Sequence, residues 1–323
     1  MKDEKVDFVI AWVDGEDEKW IAKKNIYKKE NERESSSESA RFRTNNSLQF
    51  LVASIFKYAN WFNAIYIVTD DQIPTGLPED SRIHIIDHTQ IIDKNYLPTF
   101  NSDAILLNIH KIPGLQERFV YFDDDFLLLK PMSMMDFFDK KGRPKDMAAQ
   151  FVYMPRDDFS HIAINNISAI NRKFNKREVI NKNLYKFFSL KNGFLLNVFS
   201  AMMTLLPHFT RFYDPHVAIS YKKSNFEKSI ALWEKEIHET MVHKFRSSGD
   251  VTNWLIRYYQ LVIGDFSPRS YKFGKYISVD DTVAIKKAVK SKKYHMIVIN
   301  DSVDATESHL RQYDEVVRKM ITE

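Results

Sequence analysis

The chain has 323 residues, 44% of them hydrophobic and 28% charged, with a formal net charge of +4. That length suits one large domain or two smaller ones around a sizeable core, and so mild a charge does not by itself point to nucleic acid. Cysteine is absent, which excludes disulfides, thiolate zinc sites and a cysteine nucleophile.

Glycine is sparse, at 8 residues, and neither GxGxxG nor GxxxxGKS/T occurs, so any bound phosphate must be held by side chains and metal. Met1 to Asp7 is charged and runs straight into an apolar stretch, unlike a signal peptide. The most apolar run, Phe194 to Leu206, is too short for a bilayer span, which takes about 20 residues. These features predict a cytoplasmic protein.

In chain order, Val6 to Val13 reads as a buried strand from its β-branched and aromatic content, and Asp14-Gly15 is the turn that ends it. Glu16 to Glu38 is charged, with Ser35-Ser36-Ser37 at its centre, and reads as a solvated helix or a mobile loop. Arg41 and Arg43 precede a helix over Leu48 to Ala59, whose apolar residues Leu48, Leu51, Val52, Ile55 and Phe56 recur at helical spacing. Ala64 to Thr69 is a strand ending in Asp70-Asp71, Gln72 to Asp80 a loop, and Arg82 to Ile86 a short strand before Asp87-His88. Strands alternating with helices predict a parallel sheet. Asn101 or Ser102 caps a helix over Ala104 to Ile112, which Pro113-Gly114 ends.

Val120, Tyr121 and Phe122 then read as the end of a buried strand, followed at once by Asp123, Asp124 and Asp125 and by a second apolar run, Phe126 to Leu129. Three like charges between two apolar segments are costly unless something neutralises them. A hard divalent cation such as Mg²⁺ does so through carboxylate oxygens, and the carboxyl end of a strand is where open α/β sheets bind ligands. The alternative is a solvated acidic turn.

After Lys130 the pattern predicts a helix, then a strand over Met147 to Met154. Pro155 to Leu206, rich in Asn, Lys and aromatics, predicts a helical insertion or lid, read as a packed helical layer first and as a carbohydrate- or membrane-binding surface second. Pro207 to His216 is a polar loop. Phe226 to Phe245 reads as one long amphipathic helix, broken by Arg246 to Asp250, with Asp250 as cap of a helix over Val251 to Ile263. Lys286, Lys287, Lys290, Lys292 and Lys293 form a basic helix face, solvated by default and second a contact for a polyanion or anionic lipid. Tyr294 to Ile299 is a strand ending in Asn300-Asp301. Acid thus ends four strands, at Asp14, Asp70 with Asp71, Asp123 to Asp125, and Asp301; gathered at one sheet edge they would form a cation and phosphate site. The expected division is residues 1–154 and 207–323 as two parts of a catalytic core, with 155–206 inserted between them.

Four blocks of this sequence resemble the Stealth family of sugar-1-phosphate transferases, which includes bacterial capsule polymerases and the animal GlcNAc-1-phosphotransferase. The first is Asp7 to Gly15. The second runs from Arg41-Phe42-Arg43 through Tyr66 to Asp70, Leu97 to Ser102 and Ile112 to Leu115 to Asp123-Asp124-Asp125. The third holds His216, Phe245-Arg246 and Asp250, and the fourth is Ile299-Asn300-Asp301. Ala11 stands where the family usually has Thr, Asp123 where it has Asn, and Leu106 where Glu is expected. The resemblance implies a Rossmann-like α/β fold with a mostly parallel central sheet, similar to nucleotide-sugar transferases. It implies transfer of hexose-1-phosphate from a UDP-hexose or UDP-HexNAc to a hydroxyl of an oligosaccharide or lipid-linked glycan, in capsule or cell-surface polysaccharide synthesis, with no nucleic-acid partner. The roles it implies are His216 as general base, with Asp124 and Arg246 also catalytic. Asp14, Arg41, Arg43, Asn101 and Asn300 would bind the donor and its phosphates, and Asp123, Asp124, Asp125 and Asp301 a Mg²⁺ or Mn²⁺. Each residue also has a plainer reading: Arg41 and Arg43 as helix-start partners, Arg246 as a helix C-terminal cation, Asp14 as a turn residue, His216 as a satisfied structural histidine. The rival functions are a metal-dependent glycosyltransferase that releases UDP and a non-catalytic carbohydrate-binding protein. The expected location is cytoplasmic, with a peripheral membrane contact through the Lys286 to Lys293 face.

Overall fold

Side chains alternate across a strand with a period of two, and the first strand sorts its residues into two cores in this way. In β1 (Val6–Ala11), Val9 packs on one side and Val6, Phe8 and Ile10 on the other. The computed structural model describes residues 5–28, 46–154, 158–302 and 304–323. Helices α1 (Glu18–Tyr27) and α2 (Ser47–Tyr58) follow, then β2 (Ile65–Thr69), β3 (Ile83–Asp87), the short α3 (Ser102–Leu106) and β4 (Arg118–Asp123). Only Asp124 and Asp125 separate β4 from β5 (Phe126–Leu128), which precedes α4 (Met134–Phe137) and β6 (Lys145–Asp146). Four helices come next: α5 (Asp158–Lys173), α6 (Lys176–Lys182), α7 (Leu184–Phe187) and α8 (Phe194–Met203). The remainder is β7 (Ile219–Lys222), α9 (Lys223–Leu232), α10 (Glu234–Met241), α11 (Trp254–Val262), β8 (Ser267–Pro268), β9 (Gly274–Ser278), α12 (Thr282–Ser291), β10 (Met296–Asn300) and α13 (Glu307–Thr322).

The main sheet has the order β3-β2-β1-β4-β7, with β7 antiparallel and the other four parallel. The order reverses at β1, which pairs β2 on one side and β4 on the other, so a crevice opens beyond their carboxyl ends. A second sheet, β5-β10-β9, grows directly out of β4. The backbone N–H of Ile299 donates to the carbonyl of Asp125 (3.0 Å), which brings the end of β10 beside the three aspartates. Phe119 and Tyr121 face the α9–α11 side with Trp233 and Leu255; Val120 and Phe122 face α2, the second sheet and α13. Each such side chain, fully buried, contributes roughly 1.5–3 kcal/mol over exposure.

The α/β class and the mostly parallel sheet are as the sequence predicts, and the structure corrects several elements. Met147 to Met154 is no strand: the two-residue β6 ends just before it, and within it the only bridge among the described residues is an isolated one, Gln150 to Phe212. The helix expected over Ala104 to Ile112 stops at Leu106, and a 3-10 turn over Ile109–Lys111 follows. The long helix expected over Phe226 to Phe245 breaks at Trp233, whose buried indole N–H donates to the Ala169 carbonyl (3.1 Å). The last helix of that region starts at Trp254 rather than Val251, and Asp250 does not cap it. From residue 158 on, the segment expected over 155–206 is mostly helical, and Ile170, Val179, Ile180 and Phe187 join the same core as Val9 and Tyr121.

Candidate active site

A cleft of about 650 Å³ lies beyond the reversal point of the main sheet, and Asp123, Asp124, Asp125, His216, Arg246, Asn300 and Asp301 all line it. Asp123 ends β4 directly opposite Ala11 of β1. Its Oδ1 accepts from the Tyr121 hydroxyl at 2.5 Å, two residues back on the same strand face. Burial raises the Asp123 carboxyl above its ordinary value, against the Tyr121 bond and the charges of His216 and Arg246. Burial, with the Asp123 charge beside it, pushes Asp124 up to about 7. Asp125 is pushed well above its ordinary value by burial and by both neighbours, and its Oδ1 is buried with no hydrogen-bond partner among the described residues. The protein alone therefore resists three negative charges here.

No group of three or more His, Asp or Glu side chains stands ready to hold an ion among the described residues. The donors nevertheless fit a hard cation. Mg²⁺ is commonly held by one or two carboxylates, with waters and substrate phosphates completing its shell, and the buried Asp125 oxygen is a donor of that kind.

His216 enters the cleft from a backbone in the left-handed region, at φ +49°. Strain of this kind in a non-glycine residue concentrates at functional positions. Its backbone N–H donates to Asp214 Oδ1 (2.9 Å), and Tyr276 meets its ring edge-on with centroids 5.1 Å apart. Asp214 lies 4.0 Å from Arg257, a buried guanidinium that also grips Asp146 with two bonds of 2.8 and 2.9 Å.

Arg246 is held at the start of α3. Its Nη2 donates to Ser102 Oγ (2.5 Å) and its Nε lies 3.1 Å from Asp103 Oδ2. Behind it, Asp250 is fully buried and accepts from Asn101 Nδ2 (2.8 Å) and the Ser247 backbone (2.8 Å), with His243 Nδ1 2.6 Å away. Asn101 also caps α3 by accepting from the Asp103 backbone (3.0 Å). Phe100 stacks on Phe245 with centroids 5.3 Å apart, locking the same two loops.

Asn101 therefore stands behind the wall of the cleft rather than in it. Asp14 also lies outside the lining, although Trp12 and Val13 belong to it. Asp14 Oδ1 accepts from the Glu16 backbone (2.9 Å) in a local turn, and its N–H donates to Gln72 (2.8 Å). Asp70 does not face the cleft; it pairs with Lys23 (2.6 Å) near His88. Arg41 and Arg43 lie outside the described residues.

The cleft holds residues to which the sequence reading gave no role. Trp12, Trp20 and Phe100 supply flat apolar faces, Ser47, Ser278 and Ser302 hydroxyls, and His88 an imidazole whose burial pushes its proton affinity down. Tyr121 could have been found from its place two residues before Asp123. Trp20 and Ser278 carried no such signal. A shallower hollow of about 410 Å³ near Tyr66 and His84 has no carboxylate or arginine in its lining.

The model for conserved region 1 of Stealth proteins matches residues 4–32, and that for conserved region 2 matches residues 41–146. An exopolysaccharide phosphotransferase of Lactiplantibacillus plantarum is 44% identical over 92% of this chain and 87% of that protein. A capsular polysaccharide phosphotransferase of Streptococcus pneumoniae is 35% identical over 98% of this chain and 94% of that protein. A receptor polysaccharide phosphotransferase of Streptococcus gordonii is 34% identical over 92% and 90%. At such identity along almost its whole length, this chain belongs to the Stealth family of proteins.

Proposed function

We propose that this enzyme moves a hexose-1-phosphate from a UDP-sugar to a hydroxyl of a glycan acceptor, forming a phosphodiester in a capsular or other surface polysaccharide. The observation that carries the reading is a cleft in which carboxylates meet a pinned arginine, in a chain 44% identical to a protein named an exopolysaccharide phosphotransferase. Phosphoryl transfer asks a protein mainly for positioning and for neutralised charge. Arg246 offers a planar guanidinium already oriented by Asp103 and Ser102, suited to a phosphate oxygen. Trp12, Trp20 and Phe100 suit the flat faces of a base or sugar ring.

The acceptor hydroxyl oxygen attacks the phosphorus that bears the sugar, the bond from that phosphorus to the bridging oxygen breaks, and UMP leaves. His216 takes the hydroxyl proton. Asn300, with Arg41, Arg43 and the Asp14 turn, belongs to the donor side, and Asn101 acts by holding α3 and Asp250 in place. A Mg²⁺ or Mn²⁺ on Asp123, Asp124, Asp125 and Asp301 would neutralise the diphosphate. The acceptor is an oligosaccharide or lipid-linked glycan at the cytoplasmic side of a membrane. The exposed Lys286, Lys287, Lys290, Lys292 and Lys293 suit contact with anionic head groups there.

The deciding experiment follows the bond that breaks. Turnover of the right UDP-sugar with its acceptor is expected to release UMP, and phosphorus NMR of the product to show a sugar phosphodiester. Release of UDP with a phosphate-free product would mean attack at the anomeric carbon, and the enzyme would be a glycosyltransferase.

A further inference from the structure

Helix α8 is built inside out. A helix on the surface of a protein in water turns its apolar stripe inward and its polar side outward. In α8 the polar residues point in: Ser200 is buried and its Oγ accepts from the Gln150 backbone (2.8 Å), and Asn197 Nδ2 donates to the Ser189 carbonyl (2.9 Å). The outward face is apolar. Phe194 and Leu195 are 81% and 80% exposed, and Val198 and Met202, at i+4 and i+8 from Phe194, continue the stripe. Leu190, 94% exposed before the helix, and Leu205, 83% exposed after it, extend the same run.

The helix is fastened at both ends. Before it, Tyr271 donates its backbone N–H to the Lys191 carbonyl (3.1 Å). After it, the ammonium of the buried Lys176 donates to the carbonyls of Met203 (2.5 Å), Leu206 (3.1 Å) and His208 (3.1 Å). The apolar face is thus a fixed feature of the fold rather than a loose segment. At 10 residues, or about 15 Å, α8 is about half the thickness of a hydrocarbon core; such a helix lies along a bilayer surface rather than across it.

The charge around it selects the partner. Residues 172–211 carry eight Lys or Arg against one acid, Glu178, and Lys173, Arg177, Lys182 and Lys191 are exposed. A second copy docking face to face would bring two positive surfaces together, whereas an anionic lipid surface complements them. The lysine face of α12, by contrast, offers charge with a single well-exposed apolar side chain, Val283. We infer that α8 and its flanking leucines insert into the interfacial layer of an anionic bilayer, with the surrounding lysines on the head groups. Nine residues separate Leu206 from His216, so the docking surface is joined by a short stretch of chain to the catalytic cleft.

The test is flotation of the full chain with phosphatidylcholine vesicles, with and without phosphatidylglycerol. Binding is expected to need the anionic lipid and to weaken with salt. The triple variant Phe194→Ser, Leu195→Ser, Val198→Ser is expected to bind at least about tenfold more weakly with an unchanged melting temperature, because all three side chains face outward. Because the chain has no native cysteine, a polarity-sensitive dye on Leu195→Cys reads insertion even if the triple variant folds poorly: its emission should shift to the blue with anionic vesicles, and that of the same dye on Lys235→Cys should not. Undiminished flotation of the folded triple variant would overturn the inference. So would loss of flotation only in Lys286→Glu, Lys290→Glu, or a chain that dimerises through α8 and ignores vesicles.

Discussion

Asp124 shows how far the protein's own environment opposes the charge its site needs. Burial and the Asp123 carboxylate push it up to about 7, from an ordinary 3.8. The folded chain therefore holds this proton between about pH 4 and 7, where the unfolded chain has lost it, and stability falls as pH rises through that window. Replacing the charge removes that loss. With chelator present, Asp124→Asn is expected to raise the melting temperature at about pH 8 and to change it little at about pH 4. Because part of the side chain faces the water of the cleft, the gain should be about 1–2 kcal/mol rather than the full value of the shift. Turnover should fall in the same variant. An Asp124→Asn protein less stable than the native chain at about pH 8 would show that the carboxylate is held by favourable contacts and not strained. Tyr121 is the counterweight in the same cluster, since its hydroxyl fixes the orientation of Asp123.

Strands made of continuous apolar residues were legible in the sequence, and short strands of mixed polarity or helices broken by tertiary contacts were not. β1, β2 and β4 read as unbroken apolar runs because helices and a second sheet cover them. β7 (Ile-Ser-Tyr-Lys) and β9 (Gly-Lys-Tyr-Ile-Ser) mix polar residues into short edge strands and gave no such run. The break between α9 and α10 has no Pro or Gly to announce it; the buried Trp233 indole makes it. Strand ends located the acidic residues but not their aim, which is why Asp123 to Asp125 reach the cleft while Asp14 and Asp70 turn aside. Asp250 looked like a helix cap and is instead the joint between the α3 loop and the Arg246 loop. Asp250→Ala would leave Asn101, His243 and the Ser247 N–H without their acceptor, so it is expected to cost about 3–5 kcal/mol and to lower turnover by misplacing Arg246. His243→Ala, at the more exposed end of the same knot, should cost much less. Equal melting temperatures for the native chain and Asp250→Ala would remove Asp250 from the joint.

At the scale of the molecule, the cleft exists because two sheets share one strand connection. Asp124 and Asp125 are both the link from β4 to β5 and the floor of the site. Asn300 and Asp301 arrive from β10 in the second sheet, His216 from the loop before β7, and Arg246 from the helical side. A nucleoside diphosphate and a divalent cation would therefore touch every part of the fold at once and stabilise it by mass action. The two should also depend on each other. A diphosphate would supply further ligands to a cation held by the carboxylates, and the cation would offset the repulsion between the diphosphate and the three aspartates. We predict that Mg²⁺ with UDP raises the melting temperature by several degrees, corresponding to about 2.7 kcal/mol at one hundred times the dissociation constant, while UDP with chelator does much less. Catalytic turnover should vanish in excess chelator and return with Mg²⁺ or Mn²⁺. The raised proton affinities of Asp124 and Asp125 add a direction to the effect: protonated carboxyls bind cations poorly, so the stabilisation by Mg²⁺ and UDP should shrink as pH falls below about 7. A melting temperature that responds to UDP equally with and without chelator would assign the three aspartates a structural role and leave Arg246 as the main partner of the diphosphate.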